Sequence, residues 1–181
     1  EALEGIDWSK PKVEGLGMHD LCNAIDDEFR VQGKEWFVTG NCPVQYFEDD
    51  FEFKDPDVEL TGIKRYCGGV AKLFNPETAR AETVYCEVTS EDTITLSWRL
   101  SGGVNLGPGF DLKPYIVTTD LTVNEKGLIC RQVDSFDAPG YDILLSALVP
   151  SLRRFLRPPA PPAEVLRASR EYSKPDNVSS D

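Results

Sequence analysis

YFEDDFEFKDPDVELTGIKRYCGGVAKL, residues 46–73, sets a short strand against a helix with one forced turn between them. The strand centres on Phe51 and Phe53 and runs into Asp55-Pro56. Pro56 fixes its own φ and pushes Asp55 out of the helical region, so the chain must turn there. Leu60-Thr61-Gly62 then leads into a helix whose Ile63, Cys67, Val70 and Leu73, with Ala71 beside them, recur at spacings of three and four. Thr61 is its expected N-cap.

Upstream, residues 18–31 place Met18, Leu21, Cys22, Ile25 and Phe29 on one stripe and Asp20, Asp26, Asp27 and Glu28 opposite it, which predicts an amphipathic helix ended by Gln32-Gly33. Trp36-Phe37 and residues 44–47 follow, with Gly40-Asn41-Cys42-Pro43 as a turn between them and a short helix expected near Tyr46. Residues 1–16 mix proline, glycine and charge without a period and read as an extended arm, in which Trp8 is placed to dock.

Downstream, Asn75-Pro76 closes the second helix and four strand-like runs follow, at 79–90, 93–100, 115–123 and 128–137. In the second, Ile94, Leu96, Trp98 and Leu100 face one way. In the third, Tyr115, Val117, Thr119, Leu121 and Val123 share a face. Between these two, SGGVNLGPGFDLKP (101–114) reads as a long Gly- and Pro-rich loop exposing Val104, Leu106 and Phe110. Asn124-Glu125-Lys126-Gly127 is a hairpin turn, and 141–148 a short apolar helix. From Pro150 the composition shifts to amphipathic turns with Leu152, Phe155 and Leu156 opposite the arginines, then a stiff PPAPP spacer, a weak helix and a loose end.

A strand ending in Asp-Pro, then T-G-I-K-R-Y opening a helix, resembles the nuclear transport factor 2-like superfamily, which includes ketosteroid isomerase and the SnoaL-like cyclases. Phe37-Val38-Thr39-Gly40, Tyr46-Phe47-Glu48-Asp49-Asp50, Phe53-Lys54-Asp55-Pro56, Gly127-Leu128-Ile129 and Val133-Asp134-Ser135-Phe136-Asp137 are similar to an uncharacterised domain family of cyanobacteria, algae and plant plastids that carries this fold. The resemblance implies an α+β cystatin-like cone: a curved mixed, mostly antiparallel sheet wrapped around three helices from the N-terminal half. The expected layout is an arm (1–16), the cone domain (17–152) and a Pro-rich, mildly basic tail (153–181).

A chain of 181 residues with 40% apolar content has the length for one sizeable core. No apolar run approaches the roughly 18 to 20 residues of a membrane span. The net charge of −12 argues against nucleic acid as a partner. That charge is uneven: from Ser151 onward six basic residues stand against four acidic ones, a net of +2, so the first 150 residues carry −14. Cys22, Cys42, Cys67, Cys86 and Cys130 include no C-x-x-C pair and read as small buried hydrophobes of a reducing compartment. With one histidine, His19, beside Asp20, no zinc site is expected. A start at Glu1 without methionine suits a cleaved organelle leader or a trimmed chain equally.

In ketosteroid isomerase the aspartate before this proline is the general base, so the resemblance offers Asp55, with Asp134 as a second carboxylate. The oxyanion donors that chemistry requires are missing from their positions. The first helix offers Phe29 instead of a tyrosine, the later acid position falls at or next to Thr119 with Asp120 pointing away, and Gln132 stands where the plastid-type family carries histidine. Trp98, Tyr115, Thr119, Gln132 and Phe136 are the residues expected to line the cone.

The expected function is therefore non-enzymatic: an accessory, assembly or scaffold subunit of a plastid complex, photosynthetic and peripheral to the thylakoid or stromal. It would bind other subunits through Trp8, Val104, Leu106, Phe110, Leu152, Arg153, Arg154, Phe155 and Leu156, with the C-terminal arm able to meet a membrane surface. The alternative is a small-molecule binder or isomerase/cyclase using the cavity, with Asp55 as base. No cofactor or metal is expected. A homodimer through the open sheet face is compatible with either reading.

Overall fold

The computed structural model describes residues 3, 5–30, 35–105, 109–149, 151 and 155–173. Leu106, Leu152, Arg153 and Arg154 lie outside the described residues.

The acidic-faced periodic stretch forms α1 (Met18–Arg30) and buries Leu21, Cys22, Ile25 and Phe29. Trp36–Thr39 forms α2, one turn closed by Gly40 in the left-handed region. The single turn Val44–Tyr46 leads into β1 (Phe47–Lys54), which folds back through the Asp-Pro turn onto β2 (Glu59–Thr61). The helix that follows, α3 (Ile63–Leu73), buries Ile63, Tyr66 and Cys67. Two details differ from expectation here. Gly62, not Thr61, is the N-cap and no side chain caps the helix, while Leu73 is 37% exposed and Tyr66 takes the inward place.

Four strands then run as a meander, β3 (Arg80–Val88), β4 (Thr93–Val104), β5 (Phe110–Val123) and β6 (Ile129–Phe136), followed by α4 (Gly140–Leu148) and α5 (Ala163–Ser173). Among the described residues the strands form one sheet in the order β2-β1-β6-β5-β4-β3. Every pairing is antiparallel except β1 with β6, which places the first strand beside the last. The long loop expected over 101–114 does not exist as such. β4 and β5 keep pairing through Gly102–Leu112, Gly103–Asp111 and Val104–Phe110, past a bulge after Leu100. Val104 is consequently a core residue and Phe110 packs against the core, so neither forms an exposed contact surface.

One face of the sheet carries Leu96, Trp98, Leu100, Tyr115, Val117, Thr119 and Leu121 against α1, α2 and α3. Phe29, Trp36, Phe37 and Trp98 fill the space between: Phe37 stacks on Trp98 with centroids 4.7 Å apart, and Phe29 meets Trp36 edge-on at 5.0 Å. Each fully buried aromatic side chain contributes about 2–3 kcal/mol by leaving water.

The opposite face of β3 and β4 is covered by the chain's own tail. Arg170 lies over the ring of Tyr85 and pairs with Glu87. Arg167 Nε donates to the Thr83 carbonyl at 2.7 Å, and Arg99 Nε to the Ala160 carbonyl at 3.4 Å. Lys113 pairs with Asp142 and donates to the Arg157 carbonyl at 2.8 Å. The described part of the tail thus docks on the body instead of projecting from it, and Arg157, Arg167 and Arg170 are engaged within the molecule. The N-terminal arm is docked too. Val13 and Gly15 amides bond to the Gln45 and Lys126 carbonyls, and Lys64 Nζ sits 5.3 Å over the Trp8 ring. No helix among the described residues is long and apolar enough to cross a membrane.

Candidate functional site

The inward polar side chains of the cone form one chain of hydrogen bonds, and strand register brings them together. Thr119 on β5 lies directly across from Asp134 on β6, and Gln132 pairs with Leu121 on one side and Phe53 on the other. Trp98 on β4 pairs with Val117, two residues from Thr119 on the same face, and reaches it diagonally by its long side chain. Its indole Nε1–H donates to Thr119 Oγ1 at 2.9 Å, and Thr119 donates in turn to Asp134 Oδ1 at 2.6 Å. The Gln132 amide nitrogen donates to both Asp134 oxygens at 3.0 and 3.1 Å and reaches the Tyr66 hydroxyl of α3 at 3.2 Å. Gln132 Oε1 is buried with no partner of its own.

Trp98, Thr119 and Gln132 are buried, and Asp134 is half-buried. Desolvation pushes the Asp134 carboxyl up to about 7. The bonds from Thr119 and Gln132 oppose that rise, while the charges of Asp55 and Asp120 add to it. Burial also drives the Tyr66 hydroxyl well above its ordinary value, helped by the Asp134 charge.

Asp55 is not part of this cluster. Its Oδ1 accepts the amides of Asp57 and Val58 at 2.8 and 2.6 Å, which makes it the turn-former of the Asp-Pro corner. Tyr115 and Phe136 do line the same interior, ring against ring at 5.8 Å. Three residues were missed by sequence reasoning. Tyr66 stands three positions after Ile63, on the same helical stripe, which was the available signal. The buried Lys113–Asp142 pair had none, since its halves lie in a stretch read as loop and in a helix read as apolar.

Chemically, the cluster can hold one proton near neutral pH. Its donors stand in series: the Trp98 indole donates to the Thr119 oxygen and the Thr119 hydroxyl donates to Asp134. Concavities of 350 and 530 Å³ open elsewhere, along the outward side chains of β1, β2, β5 and β6; Glu52 and Arg131 border both. Among the described residues no three His, Cys, Asp or Glu are grouped to hold a metal ion.

Phe155 is 72% exposed, and α4 turns Tyr141 (66%), Leu145 (37%) and Leu148 (46%) to solvent at helical spacings of four and three. Leu156 is half-buried.

No family model and no curated protein matches this sequence. Solved structures do. A Jannaschia sp. CCS1 protein named for its likeness to SnoaL-type polyketide cyclases superposes with a TM-score of 0.53 at 15% identity, over 71% of this chain and 92% of that one. An uncharacterised cystatin-fold protein from Novosphingobium aromaticivorans gives 0.49 at 12% identity, over 67% and 99%. An NTF2-like protein of unknown function from Cytophaga hutchinsonii gives 0.45 at 16%, over 64% and 89%. At these identities the likeness speaks to fold alone, and the fold is that of the NTF2-like, SnoaL-like cone.

Proposed function

We propose that this protein is a non-catalytic binding module, an accessory subunit that uses the cone as a rigid frame and meets another protein subunit through its outer surface. The observation that carries this is the engagement of Asp134, the carboxylate of the inward cluster. Asp134 is bonded to Thr119 and Gln132, neither outer concavity borders it, and Asp55 serves a turn. The surface with the character of a docking site is the α4 stripe of Tyr141, Leu145 and Leu148. Exposed aromatic and aliphatic side chains in one row are what interface centres are made of. The plastid assembly implied by the sequence resemblance is the setting in which this subunit would act.

The test is affinity purification of the tagged protein from its native membranes and soluble fraction in mild detergent, with mass spectrometry of what accompanies it. A stoichiometric partner set that disappears with Tyr141→Ser/Leu145→Ser supports the reading. A lone monomer in both fractions overturns it.

The Asp134 carboxyl near 7 beside the orphaned Gln132 Oε1 favours a second reading, a small polar ligand held at the inner cluster. Chemical-shift changes confined to Trp98 and Gln132 on addition of a carbonyl compound would support it, and their absence across a fragment set would dismiss it.

A further inference from the structure

Four of the five cysteines stand in pairs. Cys22, on the buried stripe of α1, and Cys86, on the inward face of β3, bring their sulfurs to 3.3 Å, and Cys86 Sγ lies 3.7 Å from the Cys22 carbonyl oxygen. Cys42 and Cys67 hydrogen-bond to each other in the deeper core, and Cys130 donates to the Thr122 carbonyl at 3.4 Å. The first pair joins residues 64 apart in sequence, from two different layers of the fold.

We propose that Cys22 and Cys86 form a reversible disulfide, made by exchange with a low-molecular-weight disulfide such as glutathione disulfide, that staples α1 to the outermost strand of the sheet. Contact between the two sulfurs leaves a closing distance of about 1.3 Å to a bonded pair near 2 Å, within reach of side-chain rotation. Access is graded. Cys86 is half-buried and can meet an incoming disulfide, whereas Cys22 is 5% exposed and meets only Cys86. The Cys86 thiolate attacks one sulfur of glutathione disulfide and expels one glutathione thiolate, which takes up the proton Cys86 lost. Cys22, deprotonated in turn, attacks the Cys86 sulfur of the mixed disulfide and expels the second glutathione. Two cysteine thiols thereby lose two protons and two electrons, and one glutathione disulfide becomes two thiols.

Burial raises both thiols, with Asp26 on α1 adding to the rise at each and Glu87 on β3 at Cys22, while Arg30 partly offsets it at Cys86. The pair therefore rests as thiols at neutral pH and exchanges slowly, faster as pH rises. Closing it fixes the helix that carries Phe29 against Trp98.

The experiment uses the full chain, held with glutathione disulfide at about pH 8.5 and, in parallel, with dithiothreitol. Expected are a loss of about 2 Da, a Cys22–Cys86 linked peptide in a non-reducing digest, and a melting temperature raised by about 5–10 °C that dithiothreitol reverses. Cys86→Ser should abolish all three. A chain that keeps its full mass, a link found at Cys42–Cys67 alone, or a bond that forms without raising the melting temperature would overturn the proposal. The peptide map of the unsubstituted chain decides even where the variant fails to fold.

Discussion

Asp134 shows how much one desolvated group can set the response of the protein to pH. In the unfolded chain its carboxyl ionises near 3.8, and in the folded cone near 7. Between those values the native state holds a proton the unfolded state has released. Its contribution is therefore fully present below about pH 4 and is lost as pH rises through about 7. Asp134→Asn keeps the shape and an acceptor for Thr119 without titrating. Urea unfolding should show the wild type losing about 2–4 kcal/mol against this variant between pH 4 and pH 8, and parallel profiles would refute the assignment. Thr119 is the joint of the same chain, accepting from Trp98 and donating to Asp134. Thr119→Val leaves the buried Trp98 indole without its acceptor and Asp134 with the Gln132 bonds but not the Thr119 one, and should cost about 2–4 kcal/mol, while Thr119→Ser, which keeps the hydroxyl, should cost less than half of that. Alternation alone put Gln132, Asp134 and Phe136 on one face of β6 and Thr119 on the inward face of β5. What alternation cannot supply is register, and register is what sets Thr119 opposite Asp134.

At the scale of elements, the helices and strands with a clean period were legible, and the misreading lies where glycine plays two roles. Ser101-Gly102-Gly103 looks like loop punctuation, yet here it is strand. Gly102 has φ +101 at the bulge, and a side chain there would collide with the Thr78 carbonyl. The glycine lets two backbones touch, and the strand resumes beyond it. Gly102→Ala must both adopt a left-handed backbone and displace residues 78–79, so its melting temperature should fall by about 5–10 °C, corresponding to about 2–3 kcal/mol. An unchanged melting temperature would mean that the bulge is not where the chain is tight. The same misreading moved Val104 from core to surface. On α3, Ile63 and Cys67 are buried as their spacing predicts, but Tyr66, a residue of mixed character, joins them and Leu73 at the far end is exposed.

Across the whole molecule, the mildly basic tail and the acidic body, separate along the chain, meet each other in the fold. Composition records that the charges are separated along the chain and is silent on whether the fold brings them back together. That return is held where Lys113 and Asp142 of the body, side chains only 6% and 3% exposed, pair with each other and both bond to the Arg157 backbone. Desolvation alone would raise the Asp142 carboxyl, but bonds from Lys113 and the Arg157 amide hold it below its usual value. Lys113→Met strands a buried carboxylate and should cost about 3–5 kcal/mol, of which Lys113→Met/Asp142→Leu should recover the greater part. If the double variant is no more stable than the single one, the pair does more than neutralise itself.

Arg167 on the Thr83 carbonyl carries a last consequence. β3 is the rim of the sheet, and a bare rim invites a stranger's strand to lengthen it. With α5 in place that invitation is withdrawn by the chain's own guanidinium. A protease cut in the proline spacer ahead of α5 would therefore free a stopper as well as a tail, and leave a strand edge open to a second chain.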